Sequence, residues 1–369
     1  MSPQMIRLSV IALLGRADTP TDAVEEYCRR LGEALRAQGV HLAIERVPWE
    51  ERGWRRALRS LRRRAETWRR LWVIVQYTAL AWSTRGFPLR FSRVLELLKR
   101  AGVRVAVVYH DVEPFAGTRI IDLLRRRAQL RAMRRAMDLC EMAVFTVPME
   151  KLSWMQPPYT HSVFIPVGAN LQAAGGAVSR KSIASGGKLN IGVFSVTGGS
   201  ATQREIGEIV EAVRFASSRV RNLKLTVLGR NSKETESEFR KKLDGAPVEI
   251  QVLGLLSNQD VARTLSSCDV LLFVRGPIST RRGSAIAGIA CGLPVIAAEG
   301  SETSSLIAEA GVAFYSPGKK SDLGTVLLHV LEDEHYRASL AQRSWIAQQR
   351  YFSWTVIASQ YAEFLEEKS

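Results

Sequence analysis

The chain has 369 residues, with 52 Lys and Arg against 36 Asp and Glu, a net charge of +16 and a hydrophobic share of 46%. That length suggests two domains, and the ordinary apolar balance excludes a wholly disordered chain. Four scattered cysteines without a C-x-x-C pair, and five histidines without ligand spacing, argue against a disulfide scaffold, a zinc ribbon or any metal site built by the chain.

The first apolar run, 6–14, resembles a weak signal peptide. It is short, has no A-x-A site and leads into Gly15, so it is read as a buried strand. Further strand-like runs follow at 42–47, 72–77, 103–109, 142–147 and 162–166, separated by helical patterns such as 22–38 and 90–100. Continuous apolar strands between helices predict a parallel sheet covered on both faces. Residues 168–188 are rich in Gly, Ala and Ser without periodicity and read as a linker, placed at 171–188. The alternation restarts with strands at 189–194, 223–228, 248–253, 270–274, 294–298 and 312–315. Helix 205–216 sets Ile206, Ile209, Val210 and Val213 on one face, and Leu323, Val326, Leu327, Val330 and Leu331 repeat that spacing.

The fold class expected is therefore α/β, with two doubly wound Rossmann-like domains, 1–170 and 189–350, and a final helix at 351–369. Ligands in such sheets bind beyond the carboxyl ends of the strands, here expected in a cleft that the two domains face. No apolar stretch approaches the ~20 residues that span a bilayer, so a soluble or peripheral protein is expected.

Charge divides unevenly along this plan. Residues 1–170 hold 29 basic and 16 acidic side chains, net +13, leaving 23 and 20, net +3, for residues 171–369. Residues 51–70 contain nine arginines, while Trp54, Leu58, Leu61, Ala65 and Trp68 step at helical spacing. That is the pattern of an interfacial helix, with Trp54, Arg55, Arg62 and Trp68 facing an anionic membrane. The other reading packs the stripe on the sheet and leaves the arginines in water. Residues 119–135 add seven arginines interleaved with Leu123, Leu124, Leu130 and Met133. A nucleic-acid partner has charge alone in its favour, with no zinc finger, ribonucleoprotein motif or helix-turn-helix, so none is expected.

The chemistry concentrates in 268–299, CDVLLFVRGPISTRRGSAIAGIACGLPVIAAE. A buried strand leads through a Gly/Pro/Ser loop to Arg281, Arg282, Gly283 and Ser284, then to a helix of small residues. A helix starting there presents free N–H groups and its positive dipole end, and two arginines beside it suit phosphate oxygens. A diphosphate site and a solvated loop with a tightly packed helix are the two readings left by spacing alone.

The run A-C-G-L-P-V-I-A, after that strand, loop and helix, resembles the donor-site segment of GT-B glycosyltransferases, most closely family 4 (glycosyl transferases group 1). Other landmarks keep the family's order: IGVFSVTGG at 191–199, the strand and turn at 225–229, VLGLLS at 252–257, the helix into "aDV" at 256–269, and Phe352-Ser353-Trp354. The resemblance is good over about 189–360 and thinner over 1–170. It implies transfer of a sugar from a nucleotide-diphosphate sugar, with retention, to a lipid-linked or saccharide acceptor in cell-envelope or exopolysaccharide assembly. Together with the basic face of residues 1–170, it points to a cytoplasmic enzyme, peripheral at the inner face of the membrane, and no cofactor beyond the nucleotide-sugar co-substrate is expected.

The resemblance assigns His110 and Asp111, after the fourth strand, to the sugar or acceptor pocket as catalytic candidates; a helix-capping loop His is the bland alternative. Gly15 and Arg16 match the glycine loop facing the donor phosphates, with an ordinary surface arginine as the other reading of Arg16. Gly198 and Gly199, with Arg204, open a helix where backbone N–H groups can meet phosphate, though a second cation is not evident. Gly229, Arg230, Gly254 and Leu255 fall where the nucleotide would lie, or form simple turns. One departure stands out: the E-x7-E carboxylates of many members fall on Ser279 and Ala287. Either the arginines and backbone carry more of the donor, or the chain is a catalytically silent GT-B scaffold. A sugar-nucleotide epimerase of the same fold is a weaker third reading.

Overall fold

The computed structural model describes residues 8–171, 187–319 and 321–367. Most of the linker expected at 171–188 lies outside the described residues. The chain forms two compact units, one of residues 1–166 with 354–369 and one of 167–353.

In the first unit, β1 (Leu8–Leu14), β2 (Val40–Arg46), β3 (Trp72–Tyr77), β4 (Arg104–Tyr109), β5 (Met142–Phe145) and β6 (Ser162–Phe164) form one sheet in the order β2-β1-β3-β4-β5-β6. Every pairing is parallel. β3 is buried along its whole length, which is why it reads as an unbroken apolar run. Four helices join the strands: α1 (Ala23–Arg36), α2 (Trp49–Thr67), α3 (Phe91–Arg100) and α4 (Ile120–Leu139). Asp22 starts α1 by accepting the amides of Val24 and Glu25, each at 3.1 Å. Gly53, at φ +69°, interrupts α2 after its first turn, a conformation that other residues adopt only with strain.

A last helix, α12 (Trp354–Glu367), belongs to this first unit. Tyr361 and Tyr27 share a buried hydroxyl–hydroxyl hydrogen bond of 2.9 Å, and Trp72 Nε1 donates to the Leu365 carbonyl at 3.2 Å. Ile357, Ala358, Tyr361, Phe364 and Leu365 are buried.

The stripe on α2 turns inward. Ala57, Leu61, Ala65 and Trp68 are buried in the core, with Trp54 and Leu58 packed against it. Trp54 stacks on Trp49 at 5.0 Å, and the Arg90 guanidinium lies 5.7 Å from its ring centre. The lipid-facing role expected of Trp68 is thereby corrected, since the sheet covers it, and Trp54 is held between core and an arginine. Arg55 and Arg62 remain exposed.

The second unit is a six-stranded parallel sheet in the order β12-β11-β10-β7-β8-β9. Its strands are β7 (Leu189–Phe194), β8 (Leu223–Leu228), β9 (Val248–Gly254), β10 (Val270–Phe273), β11 (Val295–Ala298) and β12 (Val312–Tyr315). Around them lie α5 (Thr202–Ser217), α6 (Glu236–Lys242), α7 (Asn258–Ser266), α8 (Gly283–Ala290), α9 (Ser305–Glu309), α10 (Asp322–Glu332) and α11 (Glu334–Ala347). The order reverses direction at the β7/β10 pair, the switch point where doubly wound sheets open a crevice beyond their carboxyl ends. Small residues on α8 have a packing reason: a Cβ on Gly288 would stand 2.5 Å from Leu271 Cδ2 on β10.

Candidate functional site

At the switch point the loops leaving β7, β8 and β10 come together, each fixed by its own backbone bonds. Ser195 N donates to the Leu228 carbonyl at 2.7 Å and Arg230 N to Ser195 Oγ at 3.3 Å. Asn231 Nδ2 reaches the Val196 carbonyl at 3.0 Å. Gly229, at φ +92°, is required here twice over, because a Cβ would also fall 2.5 Å from Ser195 Oγ. Gly229 N in turn donates to the Gly254 carbonyl at 2.7 Å, tying in the end of β9, where Leu255 is exposed. Gly198 and the positive-φ Gly199 lie between β7 and α5.

Thr197 is the hinge of this arrangement. Its amide donates to Glu205 Oε2 at 2.7 Å, and its hydroxyl accepts from Arg275 Nε at 3.2 Å. Glu205 is almost completely buried in the first turn of α5. Burial pushes the Arg275 guanidinium below its ordinary pKa, the Glu205 charge opposes that, and the Arg230 charge adds to it. The Arg282 guanidinium lies over Gly276, with Nη2 3.8 Å from where a Cβ would sit. Arg230, from the loop after β8, and Arg275 and Arg282, both from the loop between β10 and α8, therefore lie beyond the carboxyl ends of the strands that flank β7.

The other arginines singled out in the sequence are placed differently. Arg281 donates to Glu302 through Nε at 2.7 Å and Nη2 at 2.8 Å, and Ser279 Oγ donates to the same carboxylate at 3.1 Å. Burial pushes the Glu302 carboxyl up, but the bonds and charge of Arg281, then Arg282 and Ser279, outweigh it, and the net direction is down. Glu302 thus neutralises Arg281, which becomes a structural partner of the loop at the head of α8. Gly283 and Ser284 open that helix, with Arg282 at its N-cap. Ala287, where the second E-x7-E carboxylate would fall, is buried, and so is Ser279. Arg204 is mostly exposed and faces Glu208 at 3.7 Å along α5.

In the first unit, Gly15, Arg16, His110 and Asp111 gather where β1, β3 and β4 end. A Cβ on Gly15 would fall 2.1 Å from the Ala81 carbonyl, which accepts from Arg16 N and Trp49 Nε1. Arg16 bonds the Leu80 carbonyl at 2.7 Å and Glu50 at 3.2 Å, so much of its guanidinium is already engaged. Asp111 Oδ2 accepts the Ala79 amide at 2.7 Å and fixes the loop after β3. His110 Nε2 stands 2.8 Å from Gln76 Oε1, and the ring meets Tyr27 edge-on at 5.0 Å.

Arg275, Glu205 and Glu302 are absent from the sequence reading. Arg275 had one signal, a charged residue directly after a buried strand at the switch point; Glu302 had none, being 21 positions from Arg281. A cavity of about 240 Å³ lies elsewhere in the second unit, lined by Glu208, Tyr315, Lys319 and Asp322 without any of these arginines. Among the described residues, no group of three or more His, Cys, Asp or Glu side chains is placed to hold a metal ion.

Two units, each a parallel six-stranded sheet covered by helices, define the chain as a GT-B fold protein. Residues 193–333 match the model of the family Glycosyl transferases group 1, in agreement with the resemblance in the sequence. Among solved structures, HepE from Anabaena in complex with UDP and glucose is similar at 15% identity and a TM-score of 0.69, over 98% of this chain and 100% of that one. Sucrose-phosphate synthase from Thermosynechococcus elongatus is similar at 16% identity and a TM-score of 0.69, over 98% and 99%. WaaG, a glycosyltransferase involved in lipopolysaccharide biosynthesis, follows at 13% identity and a TM-score of 0.65, over 96% and 99%. No curated protein sequence matches the chain.

Proposed function

We propose that the protein is a group 1 glycosyltransferase that moves a sugar from a nucleotide-diphosphate sugar, held by the second unit, to a lipid-linked or saccharide acceptor. The observation that carries the reading is Arg275 reaching the loop after β7 through Thr197, with Arg230 beside it in the loop after β8 and Arg282 in Arg275's own loop. Guanidinium groups at that place bind diphosphate oxygens and offset the negative charge that grows on the leaving nucleotide, a task a metal performs elsewhere. The UDP and glucose bound by HepE suit the same chemistry. Retention of configuration, a role in cell-envelope or exopolysaccharide assembly, and a peripheral position on the cytoplasmic membrane face complete the proposal; they rest on the family resemblance and on the +13 of residues 1–170. Gly198, Gly199, Gly229, Gly254, Gly283 and Ser284 are proposed to line the donor, and His110 the sugar or acceptor.

A thermal-shift series with UDP, GDP, ADP and their sugars tests this, since a ligand that binds only the native state raises its melting temperature. A rise with one nucleoside diphosphate family, followed by transfer from its sugar, is the expected result. No rise with any of them removes the donor site. One observation favours a silent scaffold instead: Ser279 and Ala287 are buried and offer no carboxylate, and Glu302, which Ser279 reaches, is held by Arg281. Nucleotide binding without transfer or hydrolysis from any sugar nucleotide would select that reading.

A further inference from the structure

The first turn of α4 presents large aliphatic side chains to water. Ile120 is 80% exposed, Ile121 47%, Leu123 45% and Leu124 48%. At about 100° per residue they cover the side of the helix opposite Asp122, the buried member of that turn, whose carboxylate accepts from Arg119 N at 3.3 Å and Arg125 Nη1 at 2.6 Å. Arg125 in turn lies 4.8 Å from the ring centre of the exposed Phe115. The core-facing side of α4 is already complete, with Ala132, Met133, Ala136 and Leu139 buried. This helix therefore has a second apolar face that the fold does not use.

What continues that face identifies its partner. Arg127, Arg131 and Arg134 project on the line of Ile120 and are exposed. A basic stretch following an apolar tip matches anionic headgroups around an acyl interior. Nucleic acid would give the four aliphatic side chains nothing to bind.

We propose that the start of α4 docks the first unit on an anionic lipid surface, with Ile120, Ile121, Leu123 and Leu124 entering the acyl boundary and Arg127, Arg131 and Arg134 meeting the phosphates. The inference rests on the membrane part of the proposal above but not on its chemistry. Vesicle binding needs no nucleotide sugar, so the two fail separately.

The test is co-sedimentation of the full chain with phosphatidylcholine vesicles, with and without an equal share of phosphatidylglycerol. The wild type binds the mixed vesicles at least about tenfold more tightly than phosphatidylcholine alone. Ile120→Ser with Leu124→Ser, both at surface positions, lowers that affinity by roughly tenfold to a hundredfold at an unchanged melting temperature. Arg127→Ser with Arg131→Ser removes the preference for anionic lipid. In a separate measurement, Ile120→Trp gives a blue-shifted emission when mixed vesicles are added. Unaltered vesicle binding by the aliphatic variant, or no spectral shift at position 120, overturns the proposal. So does self-association that the aliphatic variant abolishes without affecting vesicle binding, which would make the face a contact between copies.

Discussion

Replacing Arg275 by alanine probes the donor site through a residue that also holds its loop. The guanidinium donates to Thr197 Oγ1 and feels the charge of the buried Glu205, which accepts the Thr197 amide. A charge-assisted hydrogen bond to phosphate is worth about 1.5–3 kcal/mol, so losing it weakens nucleoside diphosphate binding roughly 10- to 150-fold. At a ligand concentration of about 100 times the wild-type Kd, binding stabilises the native state by about 2.7 kcal/mol; with a Kd ~30-fold weaker the same concentration gives about 0.9 kcal/mol. For a unit of this size at about 2–4 °C per kcal/mol, the ligand-induced rise in Tm falls from about 5–11 °C to about 2–4 °C. The unliganded variant also melts lower, because Glu205 keeps its burial and loses its counter-charge. Arg275→Lys restores charge without the planar fork and recovers only part of the affinity. The assay is differential scanning fluorimetry with the cognate nucleoside diphosphate, checked by calorimetric titration. A full-size ligand-induced shift in Arg275→Ala, with unchanged kcat/KM, refutes the assignment.

Two further predictions concern stability. The Glu302 carboxyl sits below its ordinary value of about 4.5, so its contribution is complete above that pH and is lost as pH falls through the lower folded value; Glu302→Gln lowers stability at neutral pH by about 1–3 kcal/mol and flattens the acid limb, which urea titrations across that range would show. Tyr361→Phe leaves the buried Tyr27 hydroxyl without its 2.9 Å partner and costs about 1–3 kcal/mol, whereas adding Tyr27→Phe recovers part of the loss in chemical denaturation.

Much of the fold is legible because strands buried on both faces must be apolar throughout. WVIVQY and VLLF announce β3 and β10 without help from the rest of the chain. The direction of an amphipathic helix is not local in this way. The spacing of Trp54, Leu58, Leu61, Ala65 and Trp68 establishes that α2 has an apolar face, but whether sheet or lipid covers it depends on tertiary packing, and the sheet does. The start of α4 is the converse, for its exposed leucines and isoleucines have no periodic signature distinct from core residues. Charge pairing is equally remote. Arg281 and Arg282 read alike as neighbours at a helix start, and only the return of Glu302 from the loop after β11 separates an arginine held by a carboxylate from one that reaches toward Gly276 and the switch point.

The docking of α12 on the first unit also sets an order of events during synthesis. Trp72 and Tyr27 emerge early, but the Leu365 carbonyl and Tyr361 hydroxyl they need are made only after the whole of residues 167–353. At about 5–20 residues per second on the ribosome, the interval between residues 166 and 354 lasts on the order of 10–40 s. During it, the second unit has its full sequence and can close its core, while the first waits with an apolar seam open. The nascent first unit is therefore the natural client for a chaperone, and mutations in the seam around Trp72 and Tyr27 would show in the yield of folded protein before they show in turnover.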